Sequence, residues 1–108
     1  MIHQLRIYEI FEATREAFHA RFCDHAARIM RGYGFDFIAM WESRSDERLE
    51  FVYLLRWPNE QTKDQAWEAF LADREWVEIK QATRDQGNLV GEVEDRLLVG
   101  MDRSPAFV

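Results

Sequence analysis

Cysteine is nearly absent: Cys23 is the only one in 108 residues, so neither an internal disulfide nor a multi-thiolate zinc site can form. Long apolar runs are missing too. Nothing approaches the ~18 residues needed to span a bilayer, and the N-terminus lacks the pattern of a signal peptide. Positive charge is in deficit, with fourteen Lys and Arg against twenty Asp and Glu and a net charge of −6. Phosphate binding needs a basic face, so nucleic acid is excluded as a main partner, and an anionic membrane surface is disfavoured for the same reason. Glycine-rich phosphate loops, a G-x-S-x-G elbow, paired cysteines, linkers and internal repeats are all lacking. The expectation is a soluble, cytoplasmic protein, and 12.9 kDa leaves room for one domain.

What is present is a globular composition with an excess of rings. Hydrophobic residues make up 47% of the chain, enough for a core and too many for a disordered segment. Aromatic residues reach 14%, as eight Phe, four Trp and three Tyr. Each ring buries roughly 150–250 Å², more than so small a domain can hide in one interior. Some are expected to line a second buried surface, a subunit interface or a ligand cavity.

Periodicity gives the order of elements. Residues 2–11 predict a strand with His3, Leu5, Ile7 and Glu9 on one face and Ile2, Gln4, Arg6, Tyr8 and Ile10 on the other. Over 13–32 the spacing turns helical, with Phe18, Phe22, His25, Ile29 and Tyr33 on one stripe and Gly32 and Gly34 as the stop. Residues 35–42 and 49–57 predict two strands joined by a polar loop, hence an antiparallel hairpin. Thr62 and Gln65 make a capping-box pattern for a helix through Leu71, with Ala66, Trp67, Phe70 and Leu71 inward. Asp73 is an N-cap for a further helix over 74–83, residues 89–101 predict the last strand, and 102–108 an arm or irregular end.

The order β-α-β-β-α-β, with its second helix split, is the ferredoxin-like pattern. It is an α+β fold of one domain over 1–108, with a four-stranded antiparallel sheet and helices on one face. Nothing in the chain is left to cover the other face. Four strands of about six residues present roughly 400 Å² in projection, at the upper range of what a monomer exposes. Hiding that area is worth about 10 kcal/mol gross per subunit. A homodimer paired sheet to sheet is therefore expected; the alternative is a half-polar face open to water.

Several segments resemble one family across nearly the whole chain. Gln4-Leu5-Arg6-Ile7-Tyr8 is similar to the E-L-R-x-Y opening of the NIPSNAP family. Phe51-Val52-Tyr53-Leu54-Leu55, Ala66-Trp67-x-Ala69-Phe70 and Ala72-Asp73-x-Glu75-Trp76 resemble its V-Y-L-L, A-W-x-A-F and A-D-P-E-W segments. Gly87-Asn88-Leu89-Val90 and Ser104-Pro105 are similar to its G-x-L-V turn and S-P end. The resemblance implies a dimeric α+β barrel enclosing a cavity, and no defined activity. Related barrels include cofactor-independent monooxygenases, haem-degrading enzymes, isomerases and mutarotases, and fold does not choose among them. Two positions depart from the pattern. Gln4 replaces the usual Glu, which removes a charge from the interior, and Arg74 replaces a Pro, which loosens the helix start.

The candidate site centres on the first strand. If Leu5 and Ile7 face the helices, Gln4, Arg6 and Tyr8 point together into the barrel. An unpaired buried guanidinium is very costly, so Arg6 needs an acid of the last strand (Glu92, Glu94 or Asp95) or a ligand's carboxylate or enolate, with the Tyr8 hydroxyl as second donor. His25 is either a satisfied core residue or a general acid/base or haem ligand facing the sheet. Catalytic candidates are thus Arg6, Tyr8 and His25; ligand-binding candidates are Gln4, Arg6, Tyr8, Trp41 and Tyr53. Strand parity pairs Trp41 with Phe37 and Tyr53 with Phe51, and Trp67 belongs to the core. Cys23 is structural. His19 and His25 lie on different sides of their helix, so no metal site is expected, and no cofactor either, with haem left open. The functional expectation is a dimeric barrel of undefined role binding a small molecule in its cavity. The alternative is a cofactor-independent monooxygenase or isomerase acting on a small anionic or enolic substrate. The expected partners are a second copy and a small-molecule ligand.

Overall fold

The structure, a computed structural model, describes residues 1–105. Strands β1 (Ile2–Ile10), β2 (Asp36–Arg44), β3 (Leu49–Trp57) and β4 (Val93–Val99) form one antiparallel sheet in the order β2-β3-β1-β4. A helical rod joins β1 to β2: a 3-10 turn (Glu12–Thr14), α1 (Arg15–Arg21), a π turn (Phe22–Ala26) and α2 (Ala27–Gly32). Helices α3 (Glu60–Leu71) and α4 (Arg74–Ala82) lead from β3 to β4. The α+β, βαββαβ order expected from periodicity is the one adopted.

Caps set the helix ends. Asp73 Oδ1 accepts from the Trp76 backbone N–H at 2.8 Å and starts α4 as expected. For α3 the cap is Asn59, whose Oδ1 accepts from the Thr62 N–H at 2.8 Å. Thr62 is therefore the donor in the cap, not the cap itself, and the helix begins at Glu60. Gly34, at φ +92°, supplies the left-handed residue that ends the first helical rod.

Two local irregularities redirect side chains. The π turn holds one residue more than an α turn, so the buried stripe passes from Phe18 and Phe22 to Ala26, Ile29 and Met30. His25 is exposed, and Tyr33 is 38% exposed; neither lies on the apolar stripe. In β2 a register shift between Phe37 and Ala39 puts Phe37 opposite Leu55 but Trp41 opposite Val52. Phe37 and Trp41 thus face opposite ways, against simple alternation.

The helices cover the face of β1 that carries Gln4, Arg6, Tyr8 and Ile10; Leu5 and Ile7 lie on the open face. This reverses the orientation assumed in assigning Gln4, Arg6 and Tyr8 to a barrel lumen. Strand β3 decides the matter. Its alternate residues Leu49, Phe51, Tyr53, Leu55 and Trp57 are all buried and stand opposite Ile10, Tyr8, Arg6, Gln4 and Ile2. Directly opposed residues share a face, so that apolar row carries the polar side chains of β1 into the helix-covered layer.

The open face is apolar at its centre. Leu5 and Ile7 of β1 oppose Leu54 and Val52 of β3, which oppose Ala39 and Trp41 of β2. Trp41 is 49% exposed and Leu98 of β4 41%. The last strand is shorter than expected, but residues 91 and 92 still pair with β1 through Gly91 N to Glu9 O at 2.9 Å and Glu9 N to Glu92 O at 2.8 Å. Of the expected irregular end, residues 101–104 form a turn closed by Ser104 N to Met101 O at 3.0 Å, and 106–108 lie outside the described residues.

Candidate functional site

The polar side chains carried into the covered layer bond to one another. Gln4 is only 1% exposed. Its Oε1 accepts from Trp57 Nε1 at 3.0 Å and Trp67 Nε1 at 2.8 Å, while its Nε2 donates to Asp95 Oδ1 at 3.1 Å and Oδ2 at 2.9 Å. Indoles only donate and an ionised carboxylate only accepts, so an amide is the group that satisfies both sides. A glutamate here would accept from the indoles but set a second carboxylate against Asp95.

Arg6 continues the row. Its Nη1 donates to Asp95 Oδ2 at 3.0 Å and its Nη2 to the Tyr8 hydroxyl at 3.1 Å. The guanidinium lies 4.4 Å from the centroid of the Trp67 ring, within cation–π range. Its Nε is buried and unbonded among the described residues. The Tyr8 and Tyr53 hydroxyls are 2.6 Å apart. Burial works against the Arg6 charge, but the two phenol oxygens more than offset it and hold its pKa above the ordinary value. Burial, with Tyr8 adding to it, pushes the Tyr53 phenol well above its usual range. The row therefore joins the Arg6 guanidinium to the Tyr8 and Tyr53 hydroxyls on one side and to the Asp95 carboxylate on the other.

Arg6 also opens on a cleft. A hollow of about 330 Å³ between β1, β4 and α3 is lined by Gln4, Arg6, Lys63, Asp64, Trp67, Leu71 and Asp95, within the size range of small-molecule sites. Lys63 is held by Asp64 at 3.0 Å. The cleft offers two cations, a flat indole and two carboxylates that compete for those cations. A small anion could pair with either cation only in competition with Asp95 and Asp64.

The structure brings Gln4, Arg6, Tyr8 and Tyr53 together and leaves Trp41 and His25 apart. Trp41 is on the open face, and His25 projects from the π turn into solvent. Of the three candidate acids Asp95 is the partner of Arg6; Glu92 and Glu94 lie near Arg48 instead. Lys63 was not anticipated, although it precedes the inward Trp67 by four residues on one helical face, which is a readable signal. Cys23 is exposed, and burial of its thiol and nearby Asp24 keep its pKa above the ordinary value. Among the described residues no group of three His, Cys, Asp or Glu can hold a metal ion, and no helix is long and apolar enough to cross a membrane.

Comparison with known proteins places this geometry in a context. The NIPSNAP family model matches residues 3–105. An uncharacterized NIPSNAP domain protein from Burkholderia xenovorans superposes with a TM-score of 0.80 at 18% identity, over 98% of this chain and 100% of that one. A NIPSNAP family protein from Agrobacterium tumefaciens gives 0.81 at 15% identity, over 96% of each chain. A Streptomyces coelicolor monooxygenase in complex with nanaomycin D gives 0.61 at 14% identity, over 98% and 92%. At such identities the likeness is one of fold. No curated protein matches the sequence.

Proposed function

The chain belongs to the NIPSNAP family, and from that premise we propose a homodimer, paired sheet to sheet, that binds a small organic carboxylate in the cleft at Arg6. The dimer is supported by surface and shape. The chain exposes 7255 Å², roughly 900 Å² more than a folded monomer of its mass, and that excess is close to one partner's share of a standard interface. Its radius of gyration is 14.8 Å, against about 13 Å for a compact chain of this length. The open face, with Trp41 and Leu98 exposed beside its apolar centre, is the surface that pairing would hide. A single dimer of about 26 kDa, twice 12.9 kDa, is expected by light scattering at micromolar concentration; monomer alone would reject it. A cytoplasmic location fits the lone exposed thiol.

The observation that carries the binding reading is Arg6 at the cleft wall, with one carboxylate contact and an indole beside it. An incoming carboxylate replaces Asp95 on Nη1, and its apolar part lies on Trp67. Calorimetry with benzoate, phenylacetate and hexanoate tests this. Asp95→Asn, which keeps the Gln4 contact and frees the guanidinium, is expected to tighten binding; Arg6→Met is expected to abolish it. Binding that is indifferent to both substitutions would remove the assignment.

A second reading is catalytic and rests on the Tyr53–Tyr8–Arg6 row, whose donors suit an enolate oxygen. Under it the protein is a cofactor-independent monooxygenase or isomerase, and its fold likeness to the Streptomyces coelicolor monooxygenase favours oxygenation. Oxygen uptake or proton exchange with an enolisable carboxylate, lost in Tyr8→Phe, is the result required. His25 is not expected to ligate haem, because it is exposed and lines neither the cleft nor the cavity beside Tyr8. A shifted Soret band in a haem titration that depends on His25 would contradict that.

A further inference from the structure

On the other side of Tyr8 from the cleft, two hollows adjoin. The inner one, about 50 Å³, is walled by Tyr8, Phe18, Phe22, Phe70 and Trp76. The outer one, about 520 Å³, opens between the ends of α1 and α4 and the loop that follows. Arg21 and Val90 line both, so the inner cavity gives onto the outer mouth. The π turn contributes Phe22 and Ala26 to the inner wall, and such turns recur at functional sites.

The mouth is cationic in a chain of net charge −6. Arg21, Lys80 and Arg84 line it, and none has a carboxylate partner among the described residues. Nine other Arg and Lys residues are ion-paired. Arg21 donates to Thr83 Oγ1 at 3.1 Å. Its guanidinium lies 5.7 Å from the Trp76 ring centroid, and Lys80 Nζ lies 5.9 Å from the same ring. One aromatic wall is thus shared between the cationic mouth and the apolar cavity. Three like charges gathered without an acid repel one another, and a multiply charged anion relieves that repulsion.

We propose that these hollows bind an organophosphate with a short apolar end. The dianionic head sits among Arg21, Lys80 and Arg84, and the apolar end enters between Phe18, Phe22 and Trp76. Two arginines and a lysine favour phosphate over a single carboxylate, because guanidinium groups meet phosphate oxygens in a forked geometry. The inner cavity limits the tail, since its volume is that of about two liquid waters. The mouth lies on the helix side of the sheet, away from the face expected to pair.

Calorimetry on the full chain with butyl phosphate, inorganic phosphate and butanol tests the proposal. Butyl phosphate is expected to bind roughly tenfold or more tightly than inorganic phosphate, the gain from burying about two methylenes. Butanol is expected to bind undetectably. The double variant Lys80→Ala/Arg84→Ala removes two exposed side chains and is expected to weaken both phosphates. Val90→Phe, narrowing the passage, is expected to bring the two phosphates to similar affinity; circular dichroism checks its fold, and the double variant decides if it fails to fold. Benzoate is expected not to compete with butyl phosphate, which separates this site from the carboxylate cleft. Equal affinity for the two phosphates in the wild-type protein, or affinity unaffected by the double variant, overturns the proposal.

Discussion

The two faces of β1 are built on opposite principles. Toward the helices, Gln4, Arg6 and Tyr8 are polar, and each is bonded to a named partner on β3, β4 or α3. Toward the open side, Leu5 and Ile7 are apolar and continue an apolar centre that includes a half-exposed tryptophan. The covered layer is thus locally polar and bonded throughout the row except at Arg6 Nε, while the open face is apolar at its centre and carries ion pairs such as Arg56–Asp36 and Arg96–Glu94 around it. An isolated monomer would favour the reverse. The difference teaches why the proposed binding falls to the helix side and the proposed pairing to the open side.

The sharpest way to break the comparison is to make the open face polar. Trp41→Asp combined with Leu98→Asp sets charges in the surface expected to pair, where an unpaired buried charge is strongly destabilising. Set against about 10 kcal/mol gross for the hidden area, the pair of charges is expected to leave a folded monomer near 13 kDa by light scattering. A dimer persisting in this variant would move the interface elsewhere.

The covered face breaks by the opposite change, adding charge where polarity is already balanced. Gln4→Glu keeps the acceptor for two indoles but replaces the donor to Asp95 with a like charge. Removing a partner from a buried charged site typically costs about 3–5 kcal/mol, and a loss of that order is expected at neutral pH. Burial and Asp95 raise the folded pKa of the new carboxyl above its unfolded value. The protonated acid restores the donor, so the loss vanishes below about pH 4 and grows as pH rises toward the folded pKa. Urea midpoints of both proteins from pH 4 to 8 check the sign.

How much of this was legible varies by residue. Strand order, the β3 boundaries and the Asp73 cap follow from periodicity and capping, which act locally. Asp95 was legible as one of three acids because β4 was expected beside β1. The face was not. Period two says that Gln4, Arg6 and Tyr8 share a side without saying which side, and only the register with the apolar row of β3 decides. His25 and Trp41 were misplaced for a related reason: a π turn and a bulge each add one residue, and no propensity marks where. Asn59 outcompeted Thr62 as a cap because both residue types suit the role, and the tertiary path settles which one is used.

A smaller effect is expected within the covered row. Tyr8→Phe removes the hydroxyl that bonds both Arg6 and Tyr53, leaving a buried phenol without its described partner. Two hydrogen bonds are lost, each worth about 1 kcal/mol net, and the ring contacts with Phe18, Phe22 and Phe51 remain. A denaturation midpoint unchanged by the substitution would show that the row is ornamental to stability.

The smallest expected effect comes from an exposed counterpart of that row. Glu42 on β2 accepts from Arg15 Nε at 2.8 Å, Arg15 Nη2 at 2.7 Å and His19 Nε2 at 2.7 Å. The bonds to Arg15 and then His19 hold its carboxyl down at about 2. A folded pKa below the unfolded value contributes stability that is present above the unfolded pKa, near 4.3, and is lost as pH falls toward the folded one. Taken at face value the shift is large, but this group is substantially exposed, and solvent screening reduces exposed pairs to about 1 kcal/mol or less. The stability difference between the wild-type protein and Glu42→Gln is therefore expected to be under about 1 kcal/mol at pH 6, to shrink between pH 4.5 and 2, and to fall further in 1 M salt. The same salt should lower the Gln4→Glu penalty by a smaller fraction, because position 4 is only 1% exposed and buried charges are screened less. Equal salt sensitivity at the two positions would erase the contrast between an enclosed polar row and an exposed one.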